Sequence, residues 1–402
     1  MPFSKLAQSI APSPTLALNA RAARLRAAGE PVIHLGGGEP ESKAPPTAVA
    51  AGIEMLQTGE VRYTPAAGTP AMKDAIIDYT GRFYGRRVDR ENVMASAGAK
   101  QAIMIALLAL VDPGDEVVFP VPYWVSYPDM VRLAGGVPVP VRPSDGSFQP
   151  TVEDIERALT PRTRAVLLNS PNNPSGAVFD EDFVRGVIEL GEKRDVFVLM
   201  DDIYHRLVFD EAEPVNCLAC TDRELDDARV VILNGVSKQY AMTGFRIGWA
   251  VGPRALITAM ANIQSHQSGN PCALSQHAAV AAILGKHGAV AALKGTLERN
   301  RNELMRLLAE IPGLGVNVPG GTFYSFCDFS RFDRNSARLS EHLLEKVQVV
   351  TVPGVEFGTE GHLRLSYCGP LDEIREGVRR IAWLLDRNGS AEFETGGRIY
   401  RR

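Results

Sequence analysis

The sequence predicts an α/β protein: a large unit with a mostly parallel central sheet sandwiched by helices, joined to a smaller α+β unit. Three observations carry this. Up to about Val251, short apolar runs of strand length alternate with stretches of helical periodicity. After Ala255 the rhythm changes: helical stretches dominate to about Leu308, and short strands and helices then mix. The length of 402 residues, at roughly 150 per domain, allows two or three domains.

Taken in order, residues 15–28 read as a helix stopped by Gly29, with Thr15 as a candidate N-cap. A second helix, 71–80, is closed by Gly81, and a third, 101–111, is ended by Asp112-Pro113-Gly114. Next come 116–119 (strand), 127–133 (helix), 137–141 (strand), 152–159 (helix), 165–168 (strand), 181–192 (helix) and 196–200 (strand). Residues 230–233 and 248–251 are further strands. In the C-terminal part, 323–327, 349–352 and 363–366 read as strands, and 337–346 and 373–385 as helices. The polar, Gly-containing stretch 388–402 reads as a flexible tail.

Composition removes several function classes. The chain is 45% hydrophobic and 22% charged, ordinary for a soluble globular protein and unlike a disordered one. Forty-three basic residues against 47 acidic give a net charge of −4, so no basic excess points to nucleic acid or an anionic membrane. The first 20 residues lack the basic start and apolar core of a signal peptide. The longest apolar runs, such as 103–111, are too short to span a bilayer. Five scattered cysteines, at 217, 220, 272, 327 and 368, suit reduced thiols in a cytoplasmic protein. Cys217 and Cys220 have C-x-x-C spacing, but a zinc site needs more ligands and no second pair is present, so no metal is expected.

Several segments carry chemistry-bearing residues at strand ends. Asn234-Gly-Val-Ser-Lys238 begins where a strand ends, and Arg246 lies eight positions beyond the lysine. A lysine amine attacks a carbonyl to form a Schiff base once burial or nearby cations lower its pKa. A serine hydroxyl and an arginine fork beside it would hold a phosphate. Together they suit an aldehyde cofactor carrying a phosphate, pyridoxal 5′-phosphate; a solvated surface lysine is the plain alternative.

Asp201 ends an apolar run and should sit at the carboxyl edge of the sheet, where it would hold the proton on a pyridine nitrogen. A helix N-cap is its plain reading. Tyr204 is within reach of the same ring. The stretch 169–176, Asn-Ser-Pro-Asn-Asn-Pro-Ser-Gly, is a turn signal, and its Asn173 offers an amide to a phenolate oxygen or a carboxylate. Gly98-Ala99-Lys100-Gln101 opens a helix with small residues whose N–H groups bind phosphate. Trp124 is an aromatic face for a flat ring, or a core residue. Gly36-Gly-Gly-Glu-Pro40 does not extend to G-x-G-x-x-G, because position 41 is glutamate, so no dinucleotide site is read there. Its glycines instead let backbone approach a ligand.

These segments in this order resemble the class I/II aminotransferases, the fold-type-I pyridoxal phosphate enzymes, and most of all the bacterial aspartate aminotransferases. The resemblance runs from about Ser4 to Leu385. It rests on Leu35-Gly-Gly-Gly-Glu-Pro40, Tyr63-Thr-Pro-Ala-Ala-Gly68, Ser170-Pro-Asn-Asn-Pro-Ser-Gly176, Asp201-Asp-Ile-Tyr204, the Lys238 segment and Arg364-Leu-Ser-Tyr367. It implies two domains: a large one over 44–293, and a small one made of 1–43 with 294–387 that closes over substrate. It implies that Lys238 carries the cofactor as a Schiff base and shuttles the substrate proton, and that Asp201 pairs with the pyridine nitrogen. Tyr204 and Asn173 would bond the phenolate oxygen, and Trp124 would stack on the ring. Asn234, Ser237, Arg246 and the N–H groups of Ala99 and Lys100 would hold the phosphate, with Tyr63 reaching the site of a neighbouring subunit in a homodimer. Arg364, with Asn173 and the Gly38 backbone, would bind the α-carboxylate. Lys100, Thr15 and the partner's Ser268 match positions that meet a second carboxylate.

The expected function is therefore amino-group transfer from an L-amino acid, aspartate or another dicarboxylate, to a 2-oxo acid such as 2-oxoglutarate, in the cytoplasm. Alternatives are an aminotransferase for aromatic or other amino acids or prephenate, a fold-type-I lyase or decarboxylase, and a non-catalytic cofactor-binding regulator. Departures from the family pattern are Glu41-Ser42 in place of Asp-Phe, Phe245 for Trp, and His205 for Glu. Ser9 stands where relatives that use prephenate have an arginine.

Overall fold

The strand-length runs between Val93 and Val251 are apolar on both faces because both faces are covered. The computed structural model describes residues 3–10, 14–210, 212–286, 288–386, 388–395 and 398–401, without the side chains of 9 and 14–17. Its main sheet has seven strands in the order Val93–Ser96, Gly248–Val251, Val230–Gly235, Phe197–Asp201, Thr163–Asn169, Glu116–Pro120, Val137–Val141. Only Gly248–Val251 runs against the others. Along Phe197–Asp201 the side chains alternate: Val198 and Met200 join one buried cluster, Leu199 another. The first cluster packs under helices Pro70–Phe83, Glu181–Arg194 and Ala273–Leu284, and the second under Ala99–Leu110, Tyr127–Leu133 and Arg254–Gln267. The result is three layers with helices on both faces, as expected for a mostly parallel sheet.

A third cluster forms around helices Gly288–Ala309, Ser336–Val347 and Leu371–Leu385 and an antiparallel sheet ordered Val352–Pro353, His362–Ser366, Tyr324–Asp328. The N-terminal strand Ile33–His34 pairs in parallel with Val349–Val350, which ties the start of the chain to its C-terminal part.

Four sequence readings change. The helix read at 71–80 is Pro70–Phe83 and runs through Gly81, which has open space around its Cα. Its stop is Tyr84 followed by Gly85 at φ +64. The helix Pro14–Ala27 starts one residue before Thr15, which therefore lies in its first turn and is not its cap. The strand read at 349–352 is two short pieces serving different sheets, because its second half turns away to pair with Leu363 and Arg364. The stretch 388–402 is not loose chain where described: Glu392–Thr395 and Arg398–Arg401 form a hairpin. Tyr400 is buried under it against the Arg380 guanidinium, and Phe393 stacks on Trp383 at 5.6 Å, so aromatic burial offsets the ordering cost.

Gly248 lets the helix at Ala99 abut the sheet edge. A Cβ there would fall 2.3 Å from the Ala99 nitrogen and 2.4 Å from the Gly98 carbonyl carbon, both backbone atoms. Gly248→Ala should therefore destabilise the chain by about 2 kcal/mol, read from the denaturant midpoint. An unchanged midpoint would show that this junction has slack.

Candidate active site

Parallel strands deliver their C-terminal residues to one edge, and here those residues are polar. Asn169 and Asp201 are paired neighbours in register at the ends of their strands, and Gly235 ends the next. A cavity of about 390 Å³ opens at this edge, bounded on its far side by Tyr324 and Arg364 of the C-terminal unit and by Gly38.

Asp201 lies on the cavity floor with 3% of its surface exposed. The Tyr127 hydroxyl donates to its Oδ2 at 2.6 Å, and Asn169 Nδ2 donates to its main-chain oxygen at 2.9 Å. Burial pushes its carboxyl up to about 6, against the pull of the Tyr127 hydroxyl. Asn169 Oδ1 also receives the Asn173 N–H at 2.8 Å, so one asparagine fixes both the floor and the turn above it.

Lys238 enters from the turn after Val230–Gly235, and its Nζ donates to the Gly38 oxygen at 2.5 Å. Burial pulls its ammonium down to about 8; Arg364 and Arg246 act in the same direction, while Cys368 and Glu39 oppose them. A substantial fraction of this amine is therefore neutral near physiological pH, as a nucleophile or proton carrier requires.

At one end of the cavity, Gly98 at φ +93 precedes the helix Ala99–Leu110, so the N–H groups of Ala99 and Lys100 fall in a first turn with no intrahelical acceptor. Arg246, itself at φ +56, lays its guanidinium over Gly98, where a Cβ would meet Nη2 at 2.5 Å. A non-glycine residue in this backbone region costs about 1 kcal/mol or more, so the surrounding structure holds Arg246 there. Ser237 lines the same end. Together, the helix start, the hydroxyl and the guanidinium make an anion cradle.

At the other end, Arg364 is 2% exposed, yet its partners are neutral. Nη1 donates to Asn173 Oδ1 at 2.9 Å and Nη2 to the Gly36 oxygen at 3.1 Å, while Nε has no partner. The Tyr324 and Phe357 rings flank it, with centroids at 4.1 and 5.1 Å. Because Asn173 Oδ1 accepts from Arg364, its amide NH₂ is left to face a ligand. Tyr204 lines the wall, its hydroxyl 3.4 Å from that of Tyr324, and burial holds it in the neutral form. Trp124 borders the opening with Lys100 Nζ 4.6 Å above its ring and 3.2 Å from the Ser126 hydroxyl. Burial, then Arg246, keep Lys100 below the usual lysine range. Among the described residues, none of Lys100, Lys238, Arg246 and Arg364 has a carboxylate within 4 Å.

Other sequence candidates lie elsewhere. Asn234 does not line the cavity: fully buried, it spends its amide on the Tyr84 hydroxyl, the Gly235 N–H and Gln239, so it is not free to hold a phosphate. Tyr63 is 98% exposed and Ser268 bonds Gln101 at 2.7 Å, so neither reaches the cavity of its own chain. The side chains of Thr15 and Ser9 lie outside the described residues. Sequence reasoning missed Tyr127, Asn169 and Tyr324. Asn169 was legible as the polar end of an apolar strand; Tyr127 and Tyr324 are indistinguishable in sequence from core aromatics.

The model of the family described as aminotransferase class I and II matches residues 30–381. The chain is 41% identical to an aspartate aminotransferase of Streptomyces avermitilis over 388 residues, 94% of this chain and 95% of that protein. It is 40% identical to an aspartate/prephenate aminotransferase of Nitrosomonas europaea, over 96% of this chain and all of that one. Among solved structures, the aspartate aminotransferase of Rhizobium meliloti superposes with a TM-score of 0.91 at 37% identity, covering 96% of this chain and 99% of that one. The Thermus thermophilus aspartate aminotransferase with maleate gives 0.90 at 35% identity, covering 95% and 99%.

The low pKa of Lys238 has a direct readout. In the cofactor-free chain, acylation at Lys238 by an amine-selective reagent should rise with a midpoint near pH 8, well below the usual 10.5. The folded chain binds this proton less tightly than the unfolded one, so the cost of the buried ammonium fades as pH rises from about 8 to 10.5. Peptide mass mapping across a pH series measures the labelling, and a midpoint above 10 would contradict the burial argument.

Proposed function

The chain belongs to the class I and II aminotransferases, and on that premise we propose that it moves the amino group of aspartate or another dicarboxylic L-amino acid to a 2-oxo acid such as 2-oxoglutarate. The observation that carries this reading is the row of four cations, unpaired with any carboxylate among the described residues, around one buried aspartate. The fold is α/β of fold type I, and the activity class is a pyridoxal-phosphate-dependent transamination.

The residues present fit that cofactor. A buried carboxylate with no cationic partner suits a protonated ring nitrogen. The anion cradle at Gly98, Ser237 and Arg246 suits a phosphate. Lys238 stands between them. When bound, pyridoxal phosphate supplies a carbonyl that condenses with amines and a ring that accepts electrons.

We assign each residue a part in that chemistry. Asp201, steadied by Tyr127 and Asn169, would keep a proton on the ring nitrogen by charge pairing. Tyr204 and the Asn173 amide would donate to the ring oxygen, and Trp124 would pack on the ring. The cradle of Ala99, Lys100, Ser237 and Arg246 would hold the phosphate. Arg364 exchanges its neutral acceptor Gly36 for the substrate α-carboxylate, a bidentate bond that orients Cα. Lys238, partly neutral, would accept the substrate Cα proton and hand it to the carbon that was the cofactor's carbonyl. The Gly38 backbone, whose oxygen accepts from Lys238, would help Arg364 and Asn173 bind the α-carboxylate through its N–H.

A second carboxylate is read at Lys100, aided by Thr15 and the partner's Ser268. Support comes from Lys100 in the cavity lining and from the Thermus thermophilus relative, whose structure was solved with maleate, a dicarboxylate. We also read a homodimer. Val49, Ile53 and Leu56 lie on one exposed stripe of helix Pro46–Thr58, continued by Val61 and Tyr63. A second copy would cover this face and bring Tyr63 to its neighbour's cradle. Residues 44–293 are read as the large domain, and 1–43 with 294–387 as the small one. No described helix is long and apolar enough to cross a membrane, and the unpaired cysteines support a cytoplasmic setting.

Lys238→Ala should reduce turnover to background in an assay of oxo-acid formation, whereas full activity in that variant would refute the assignment. Arg364→Gln should lower kcat/KM by roughly a hundredfold, through loss of two charge-assisted bonds. In single-turnover mixing with each amino acid, aspartate and glutamate should react at least about tenfold faster than alanine and phenylalanine, and Lys100→Met should erase most of that margin. Prephenate belongs in the same screen as an acceptor. Equal rates for all donors would remove the dicarboxylate reading and leave the transaminase.

A further inference from the structure

Beneath the Lys238 turn, against helix Pro70–Phe83, lies a buried polar network that touches neither the cavity nor solvent. The Tyr84 hydroxyl donates to Asp202 Oδ2 at 2.7 Å and accepts from Asn234 Nδ2 at 3.1 Å. Asn234 Oδ1 receives the Gly235 N–H at 2.7 Å and Gln239 Nε2 at 3.2 Å. Gln239 Nε2 also donates to the Gly235 oxygen at 3.0 Å, and its Oε1 receives the Tyr79 hydroxyl at 2.9 Å. Each of these side chains is at most 1% exposed. The His205 ring stacks on Tyr84 at 4.4 Å.

The network joins two particular places. Asp202 is the residue after Asp201, and its own N–H bonds the Leu233 oxygen of the neighbouring strand. Gly235 and Gln239 bracket Ser237 and Lys238. Asp201 must meet the nitrogen of the cofactor ring while Lys238 meets its carbonyl, so the two residues have to be held within a narrow range of separations. The sheet register sets the strand ends and the Val236 N–H still bonds the Ile247 oxygen at 3.1 Å, but beyond Val236 the turn is tied back to the strand through Gln239.

We propose that Tyr84 is a positioning residue for the cofactor: by bonding Asp202 and Asn234 with one hydroxyl, it holds the Asn234 amide for Gln239 and so fixes the Lys238 turn relative to Asp201. This rests on the reading of the cavity as a pyridoxal phosphate site. Deleting the hydroxyl leaves Asn234 Nδ2 and Asp202 Oδ2 without their partner in a dry site. Asp202 Oδ1 already has none, so the local penalty is that of unsatisfied buried polar groups. The turn then gains freedom where the amine must be aimed.

The test uses the full chain stripped of cofactor, as wild type and as Tyr84→Phe, which keeps the ring. Affinity for pyridoxal phosphate is read from tryptophan fluorescence. The fraction of cofactor fixed to Lys238 after borohydride reduction is read by intact mass and peptide mapping. Tyr84→Phe should bind about tenfold more weakly and, at saturating cofactor, be fixed to less than half the wild-type extent. Gln239→Glu, which removes the donors to Asn234 and Gly235, should move both readouts the same way and is read if Tyr84→Phe melts below the assay temperature. A folded variant with wild-type affinity and fixation overturns the proposal, even if its melting temperature has dropped. Wild type that takes up no cofactor overturns the cofactor reading instead.

Discussion

The register of the parallel strands at their carboxyl ends is the constraint on which the rest depends. Asn169 stands beside Asp201, and Asp201 beside Leu233, so two neighbouring strands stop in step and the third runs on two residues to Gly235. Each strand then gives way to a loop carrying a reactive group: the Asn173 turn, the Tyr204 segment, the Lys238 turn. A slip of one residue in any of these pairings would turn Asp201 into the apolar layer and leave a core residue in the cavity. The strands are apolar on both faces and tightly covered, so such a slip would bury polar groups and expose apolar ones on both sides at once. Core packing, not the site itself, therefore secures the catalytic geometry.

Against that rigid floor the site stores electrostatic tension. Arg364 is desolvated and has only amide, carbonyl and aromatic partners, and burial holds Lys238 part-neutral against the opposing pull of Cys368 and Glu39. A carboxylate built into the protein beside either one would relieve the tension permanently. It would also raise the lysine pKa and occupy the arginine fork. Leaving the cations unpaired costs folding stability and reserves their pairing energy for ligands.

How much of this is legible in the sequence depends on whether the signal is local. The alternation of apolar runs with helical periodicity suffices for the layered sheet, and Asp201 stands out as a charge terminating one such run. Gly81 misleads because a glycine inside a helix and one ending it look alike until the neighbours are known; here nothing crowds it, and the chain turns only at Gly85. The strand pair Glu392–Thr395 and Arg398–Arg401 reads as loose chain because its order comes from Phe393 and Tyr400 meeting Trp383 and Arg380 of the preceding helix, side-chain contacts that no local pattern marks. Asn234 suggests a phosphate ligand only by its place in a motif. Its real partners, Tyr84 and Gln239, lie 150 and 5 residues away, and only one of those separations is visible as local sequence.

The two ends of the cavity ask for different anions. The cradle at Gly98 and Arg246 combines a guanidinium with backbone N–H groups that converge from a helix start, an arrangement with donors in several directions that suits a tetrahedral phosphate. Arg364 offers a planar fork pinned between two aromatic rings, which suits a planar carboxylate. Because both ends are fixed to the same set of strand ends and loops, a ligand must carry both anions at the right spacing to relieve both. No single small anion does so, whereas on the proposed function a phosphorylated cofactor and an amino acid would do so together.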